Sequence, residues 1–265
     1  MPRLAANLSF LWTELPFLDR FAAAREAGFT AVEYMFPYAY PAPELRSRLD
    51  AAGVEQVLFN LPAGDWAAGD RGIASDPARV DEFRAGVQQA LAYARALDVP
   101  QCNCLAGLRV EGVEPERQWS TLVENVRYAA AHLKGEGRRL LVEPVNTFDV
   151  PGFLLPTTDD ALRLLDETGD PEILLQFDAY HVRRMEGDPA GRLSAVIGRV
   201  GHVQIADHPG RHQPGTGEID FGALFALLDS TGYAGSVGLE YVPTPDTAGS
   251  LSWLDRFGSA LTQRS

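Results

Sequence analysis

The stretch Arg139-Leu140-Leu141-Val142-Glu143-Pro144-Val145-Asn146 stops an apolar run on a carboxylate and follows it at once with a proline. Three later stretches repeat the pattern: Ile173-Leu174-Leu175-Gln176-Phe177-Asp178, His202-Val203-Gln204-Ile205-Ala206-Asp207 and Val237-Gly238-Leu239-Glu240. Runs this short and this apolar read as buried strands. Strands that are apolar on both faces belong to parallel sheets covered by helices. Each of these four carries a metal-capable oxygen group, Glu143, Asp178, Gln204 or Glu240, at or near its C-terminal end. Few folds bring such ends together.

The rest of the chain supplies the alternation that such a fold needs. Leu4 to Phe10, Thr30 to Met35, Val54 to Asn60 and Val99 to Leu105 read as four earlier strands. Leu140 to Glu143, Glu172 to Asp178, Val200 to Ile205 and Ser236 to Glu240 read as four later ones. Helical patterns lie between them. Phe17, Phe21 and Ala24 share a stripe that Gly28 ends, and Pro43 to Ala52 is a short helix ended by Gly53. A helix opening at Asp76-Pro77 carries Val80, Phe83, Val87, Leu91, Ala94 and Leu97 at helical spacing. Pro115 opens another, with Trp119, Leu122, Val123, Val126, Ala130 and Leu133 on its apolar stripe. Thr157 with Asp160 forms a capping box for a helix that stops at Gly169. A short helix covers Leu193 to Ile197, Asp220 caps one through Leu224 and Leu228, and Leu251, Leu254, Phe257 and Leu261 mark the last.

Eight strand-helix pairs predict an α/β fold, a (β/α)8 TIM barrel, as a single domain over residues 1–265. The usual length of that fold is about 250 residues. A doubly wound open sheet is the alternative, opposed by the lack of a Gly-x-Gly-x-x-Gly after the first strand. In a barrel the active site is expected at the C-terminal ends of the strands, where Glu143, Asp178, Gln204 and Glu240 fall.

Charge and cysteine content exclude several function classes. The formal net charge is −13, which opposes nucleic acid and an anionic membrane surface as partners. A small anionic substrate held by one local cation stays compatible. Cys102 and Cys104 are the only cysteines and are one residue apart, so no disulfide framework exists. A reducing cytoplasm is the expected setting. No apolar run reaches membrane-spanning length, and the N-terminus has no signal-peptide core. A homo-oligomer is compatible with the sequence.

Side chains alternate along a strand, so all four oxygen-bearing residues can point inward. Three carboxylates converging in a low dielectric repel one another unless a divalent cation joins them. An all-oxygen set favours Mg²⁺ or Mn²⁺ over Zn²⁺. By the same parity Gln176 lies below Asp178 and His202 below Gln204, where they either orient the ligands or form a satisfied polar layer. His181, three residues past Asp178, is expected at the rim as a substrate contact. Arg211 and His212 are the cations nearest the end of the seventh strand, and Arg211 is the expected partner of an anionic substrate. Gly215-Thr216-Gly217 is either a phosphate cradle or a plain turn. The polar stretch from Pro62 to Gly72, with Trp66 and Arg71, is either a lid or a well-packed turn.

At these residues the chain resembles the hydroxypyruvate isomerase family of xylose-isomerase-like barrels, and nearly from end to end. The resemblance is carried by Val32-Glu33-Tyr34-Met35-Phe36-Pro37-Tyr38, Asn60-Leu61-Pro62-Ala63-Gly64-Asp65-Trp66-Ala67-Ala68-Gly69, Glu143-Pro144-Val145-Asn146, Asp178-Ala179-Tyr180-His181, His202 to Asp207 and Pro214-Gly215-Thr216-Gly217-Glu218-Ile219. The loop after the third strand and the Gly-Thr-Gly-Glu segment resemble this subfamily in particular. Gln204 stands where much of the wider group has histidine. The resemblance implies that Glu143 and Glu240 are proton donor and acceptor, and it adds Asn60 and Trp66 to the expected substrate contacts. It implies metal-assisted conversion of hydroxypyruvate to tartronate semialdehyde by proton transfer through an enediolate. The alternatives are isomerisation of 2-dehydrotetronate, a sugar 3-epimerase and an inosose dehydratase-like reaction. A DNA-repair endonuclease of the same superfamily would need a more basic face and more than the five histidines present.

Overall fold

The computed structural model describes residues 2–257. Its strands are β1 (Arg3–Asn7), β2 (Ala31–Glu33), β3 (Glu55–Asn60), β4 (Gln101–Cys104), β5 (Arg139–Val142), β6 (Leu174–Asp178), β7 (Val200–Ile205) and β8 (Ser236–Leu239). They are hydrogen-bonded in chain order, and β8 pairs back onto β1 in parallel, so the sheet is a closed barrel. An open doubly wound sheet has two free edges and is excluded by that closure. Between the strands lie α1 (Arg20–Glu26), α2 (Ala42–Ala52), α3 (Val80–Leu97), α4 (Pro115–Lys134), α5 (Thr158–Thr168), α6 (Ala179–Met185), α7 (Pro189–Val196) and α8 (Phe221–Ser230). Among the described residues, no helix is long and apolar enough to cross a membrane.

Local chemistry moves several boundaries from those expected. β1 stops at Asn7 and not at Phe10, because the Asn7 side chain accepts from the Ser9 N–H at 3.0 Å and its carbonyl from Leu11 at 2.9 Å. An asparagine that bonds the backbone ahead of it turns the chain. The helix expected from Asp76-Pro77 begins only at Val80, since Asp76 first makes its own turn by accepting from the Ala78 N–H at 2.8 Å. The capping box at Thr157 and Asp160 is present in both directions, and Gly169 closes α5 in the left-handed region at φ 72°. α6 was not expected. Asp178 starts it as N-cap, its side chain accepting from the Tyr180 N–H. Of the residues expected in the last helix, Leu261 lies outside the described residues.

The chain packs as two compact units. One comprises residues within 1–34, 47–57 and 177–265, the other residues 35–46 and 58–176. In the first, Phe17, Phe21 and Tyr34 meet edge to face at centroid distances of 5.2 to 5.7 Å. Aromatic pairs in that geometry add to simple area burial. In the second, α3 and α4 lie side by side over β4 and β5, with Phe83, Val87, Leu91, Leu122, Val126 and Leu133 buried. Cys102 and Cys104 are buried and unpaired there.

Removing the hydroxyl of Thr157 leaves the first turn of α5 with an unsatisfied N–H. Thr157→Ala is expected to destabilise the protein by about 1 kcal/mol, which lowers the melting temperature by about 2–4 °C in calorimetry.

Candidate active site

Register and parity decide which side chains can meet. In the unit of residues 35–46 and 58–176, Asn60 on β3 is paired in register with Asn103 on β4, and Asn103 with Leu141 on β5. Glu143 follows β5 directly and shares a face with Leu141. Its Oε2 accepts from Asn103 Nδ2 and from Gln176 Nε2, both at 2.9 Å. Asn103 Nδ2 also donates to Asn60 Oδ1 at 3.2 Å. Gln176, expected beneath Asp178, thus makes its bond to Glu143. All four side chains are buried.

The unit within residues 1–34, 47–57 and 177–265 has buried polar groups of its own. Asp178 is fully buried. Its Oδ1 accepts from the Tyr180 N–H at 2.7 Å, as the cap of α6 requires. Its Oδ2 has no hydrogen-bond partner and faces His181 Nε2 at 3.6 Å and Arg211 Nη2 at 3.7 Å. Glu240 follows β8. Its Oε2 receives Arg211 Nη2 at 2.5 Å, and its Oε1 lies 3.4 Å from both Asn7 Nδ2 and Gln204 Nε2. Burial pushes the Glu240 carboxyl up to about 8; the Arg211 charge opposes this, and the charges of Asp178 and Glu33 add to it. Arg211 sits at φ 55°, and its guanidinium lies 5.1 Å from the Phe10 ring centroid and 5.2 Å from that of Tyr180.

One ligand atom from each of Asp178, His181 and Glu240 lies within 4.8 Å of the others, and all three residues are buried. Such a cluster can bind a metal ion. The unpartnered Oδ2 of Asp178 is what a cation would complete, because a buried carboxylate oxygen with no donor is otherwise unfavourable. The imidazole of His181, expected as a substrate contact, lies in the same group as the two carboxylates.

Other expected residues have different roles. His202 Nε2 lies 2.6 Å from Glu33 Oε2, and Gln204 Nε2 donates to Glu33 Oε1 at 2.7 Å. The Gly215-Thr216-Gly217 segment holds no external anion site of its own. The N–H groups of Gly215, Gly217 and Ile219 donate to the Asp207 carboxylate at 2.9, 2.8 and 3.1 Å, as does that of His208 at 2.9 Å. A Cβ on Gly217 would fall 1.9 Å from the His208 carbonyl oxygen. The loop is therefore wound around an internal carboxylate, and this brings Arg211 back toward Glu240. Trp66 is 37% exposed, packs against Phe36 at 5.1 Å and lies under the Arg71 guanidinium at 4.2 Å. Its loop is pinned by Asp70, which accepts from the Asp65 N–H at 2.6 Å and from Arg79 at 2.7 Å. That favours a packed turn over a free lid.

Sequence reasoning missed Glu33 and Asn103. Glu33 ends the apolar run Ala31-Val32-Glu33, the same signal as at Glu143, but in the first half of the chain. Asn103 stands between two cysteines, a polar residue in a buried strand.

Residues 21–257 match the family described as xylose isomerase-like TIM barrel. The chain is 48% identical to the hydroxypyruvate isomerase of Escherichia coli K12, over 97% of this chain and 100% of that protein. It is 45% identical to the 2-oxo-tetronate isomerase of Cupriavidus necator, over 96% of this chain and 98% of that one. Among solved structures it superposes with a TM-score of 0.94 on a protein described as AP endonuclease, family 2, from Brucella melitensis. That protein is 43% identical, with 97% of this chain and 99% of the other covered.

The raised Glu240 group gives the cluster a pH signature. A carboxyl lifted from 4.5 to about 8 lends the metal-free protein stability that is complete below the lower value and lost as pH rises through the upper one. A cation binds the ionised form. Mn²⁺ affinity measured by calorimetry is therefore expected to rise from pH 6 to pH 8, with proton release on binding, and the thermal stabilisation by Mn²⁺ to grow over the same window. An affinity independent of pH would contradict this.

Proposed function

We propose, for a chain that belongs to the hydroxypyruvate isomerase family of xylose isomerase-like TIM barrels and is an isomerase of small hydroxy-oxo acids, that its reaction is the interconversion of hydroxypyruvate and tartronate semialdehyde. The observation that carries this reading is the buried cluster of Asp178, His181 and Glu240. A reaction of this kind moves one proton between adjacent carbons and needs two carboxylates within reach of the same substrate. Glu143, Asp178, Glu240 and the carbonyl oxygen of Gln204 would hold Mg²⁺ or Mn²⁺. When bound, that ion supplies Lewis-acid polarisation of the substrate carbonyl.

The chain's own residues supply the rest. One glutamate takes the proton from C3 of hydroxypyruvate, leaving an enediolate; a proton returns to C2, and the proton of the C3 hydroxyl passes to the C2 oxygen, so the substrate gains and loses no atom overall. Asn103 and Gln176 hold the Glu143 carboxylate by donating two hydrogen bonds to one of its oxygens. The raised proton affinity of Glu240 suits a group that must give a proton back near neutral pH. Arg211 is the cation for the substrate carboxylate, and His181 the neighbour of its hydroxyl. Asn60 and Trp66 remain the outer substrate contacts of this reading. Two unpaired buried cysteines suit a reducing cytoplasm.

A four-carbon acid of the same type is a second reading, because the identity to the Cupriavidus necator enzyme is nearly as high. A nucleic acid substrate suits neither the net charge of −13 nor a buried anionic centre.

Two measurements test the reading. Incubation with hydroxypyruvate and Mg²⁺ in ²H₂O is expected to place deuterium on carbon, and EDTA to prevent it; absence of exchange with every C3 and C4 oxo acid tried would reject the isomerase assignment for this site. Glu240→Gln is expected to lower kcat by at least about a hundredfold with the melting curve little changed.

A further inference from the structure

The loop after β3 carries a cation whose donors are only partly used. Arg71 lies half-buried against the Trp66 ring, its guanidinium carbon 4.2 Å from the ring centroid. Nη1 donates to the Trp66 and Asp70 carbonyls at 3.1 and 2.7 Å. That nitrogen has two N–H groups, and those two carbonyls engage it. Among the described residues, Nε and Nη2 have no acceptor, and no carboxylate pairs with the guanidinium. The acids nearest in the chain are held elsewhere. Asp70 accepts from Arg79 at 2.7 Å and from the Asp65 N–H at 2.6 Å, and Asp65 Oδ1 accepts from the Ala68 N–H at 3.0 Å. The backbone beside Arg71 is fixed as well. Gly72 donates to the Ala63 carbonyl at 3.1 Å, and a Cβ on it would fall 2.4 Å from the carbonyl oxygen of Leu105, just past β4. Only glycine permits so close an approach. The loop is thus docked on the C-terminal end of β4, the strand from which Asn103 reaches Glu143.

A guanidinium anchored through Nη1 offers its other edge. There Nε–H and Nη2–H point the same way and are spaced to meet both oxygens of one carboxylate. The indole against its face holds that edge in one plane. Arg211 has less to give, since its Nη2 is taken by Glu240 at 2.5 Å. It supplies charge, whereas Arg71 supplies a directed pair of donors. We propose that Arg71 is a specificity-determining residue: its Nε–Nη2 edge binds the carboxylate of the small hydroxy-oxo acid, and so selects an acid over an uncharged sugar of the same length. In a protein of net charge −13, a fixed arginine with no acid of its own is a local attraction for such an anion. The inference rests on the reading of Trp66 as an outer substrate contact in the preceding section, and it names the chemical group that the Trp66 loop holds.

The test reads a preference between two ligands. Calorimetry with Mg²⁺ present measures binding of glycerate, a three-carbon hydroxy acid with no ketone or aldehyde to react, and of glyceramide, its uncharged amide. The wild type is expected to prefer the acid. Arg71→Gln is expected to weaken glycerate binding by about 10–100-fold, the range for hydrogen bonds to a charged group, and to leave glyceramide binding within about threefold. Arg71→Lys keeps the charge but has no fork, and is expected to bind glycerate within about threefold of Arg71→Gln; it also serves if Arg71→Gln does not fold. In turnover, the KM for hydroxypyruvate is expected to rise with kcat little changed, because the lost contact is made equally in the ground and transition states. The proposal is overturned if the wild type shows no preference for the acid, if Arg71→Gln keeps that preference, if both ligands weaken alike, or if Arg71→Lys binds glycerate like the wild type. Should the wild type turn over hydroxypyruvate and Arg71→Gln do so with the same KM, the inference fails and the isomerase reading stands. A wild type that binds neither ligand and turns over no hydroxy-oxo acid overturns both.

Discussion

Glu240 is buried beside Asp178 and Glu33, and the repulsion within that group is the constraint on which the site depends. Like charges in a low dielectric raise one another's proton affinity or demand a compensating cation. Each carboxylate here has its own answer. Glu33 is bound by three side-chain donors, Asp178 uses one oxygen to cap α6, and Glu240 is paired with Arg211. One atom is left over. Asp178 Oδ2 is buried without a hydrogen-bond donor. A cation could complete such an oxygen, because the protein's own donors fall one short.

Arg211 illustrates how a loop can serve such a centre. Its position follows from the Asp207 carboxylate, which gathers four backbone N–H groups and folds the chain after β7 back on itself. Phe10 and Tyr180 lie close to the guanidinium, so its reach is directed as well as its charge. In a protein of net charge −13, a cation held this firmly next to Glu240 offsets the local negative charge.

Much of this was legible from the residues in order. All eight strands were located, with ends correct to within a few positions, because their apolar runs are short and bounded by glycine, proline and helical spacing. Glu143, Asp178 and Glu240 were found for a simple reason: a carboxylate that closes a buried strand is an anomaly visible in one dimension. Parity placed Gln176 below Asp178 and His202 below Gln204, as orienting groups or a satisfied polar layer, but it did not give their partners, since parity gives a face and no neighbour. Glu33 escaped although its local signal was the same as that of Glu143. Its partners on β7 lie 169 and 171 residues away in sequence. The Gly-Thr-Gly segment was ambiguous because a donor-rich turn looks the same whether its anion is bound from solution or built into the chain.

The sequence by itself determines where the strands stop, which of them end on an acid, and the family to which the chain belongs; these are local patterns and survive without coordinates. Only the tertiary structure decides which acid faces which donor. Closure of the sheet brings β8 against β1, the pairing of β7 with β8 puts Gly238 beside Gln204, and the missing side chain of Gly238 gives Glu33 a place to lie. The physical reason is that a strand's side-chain direction is a local property, whereas a hydrogen-bond partner is a property of register between strands that are far apart in the chain.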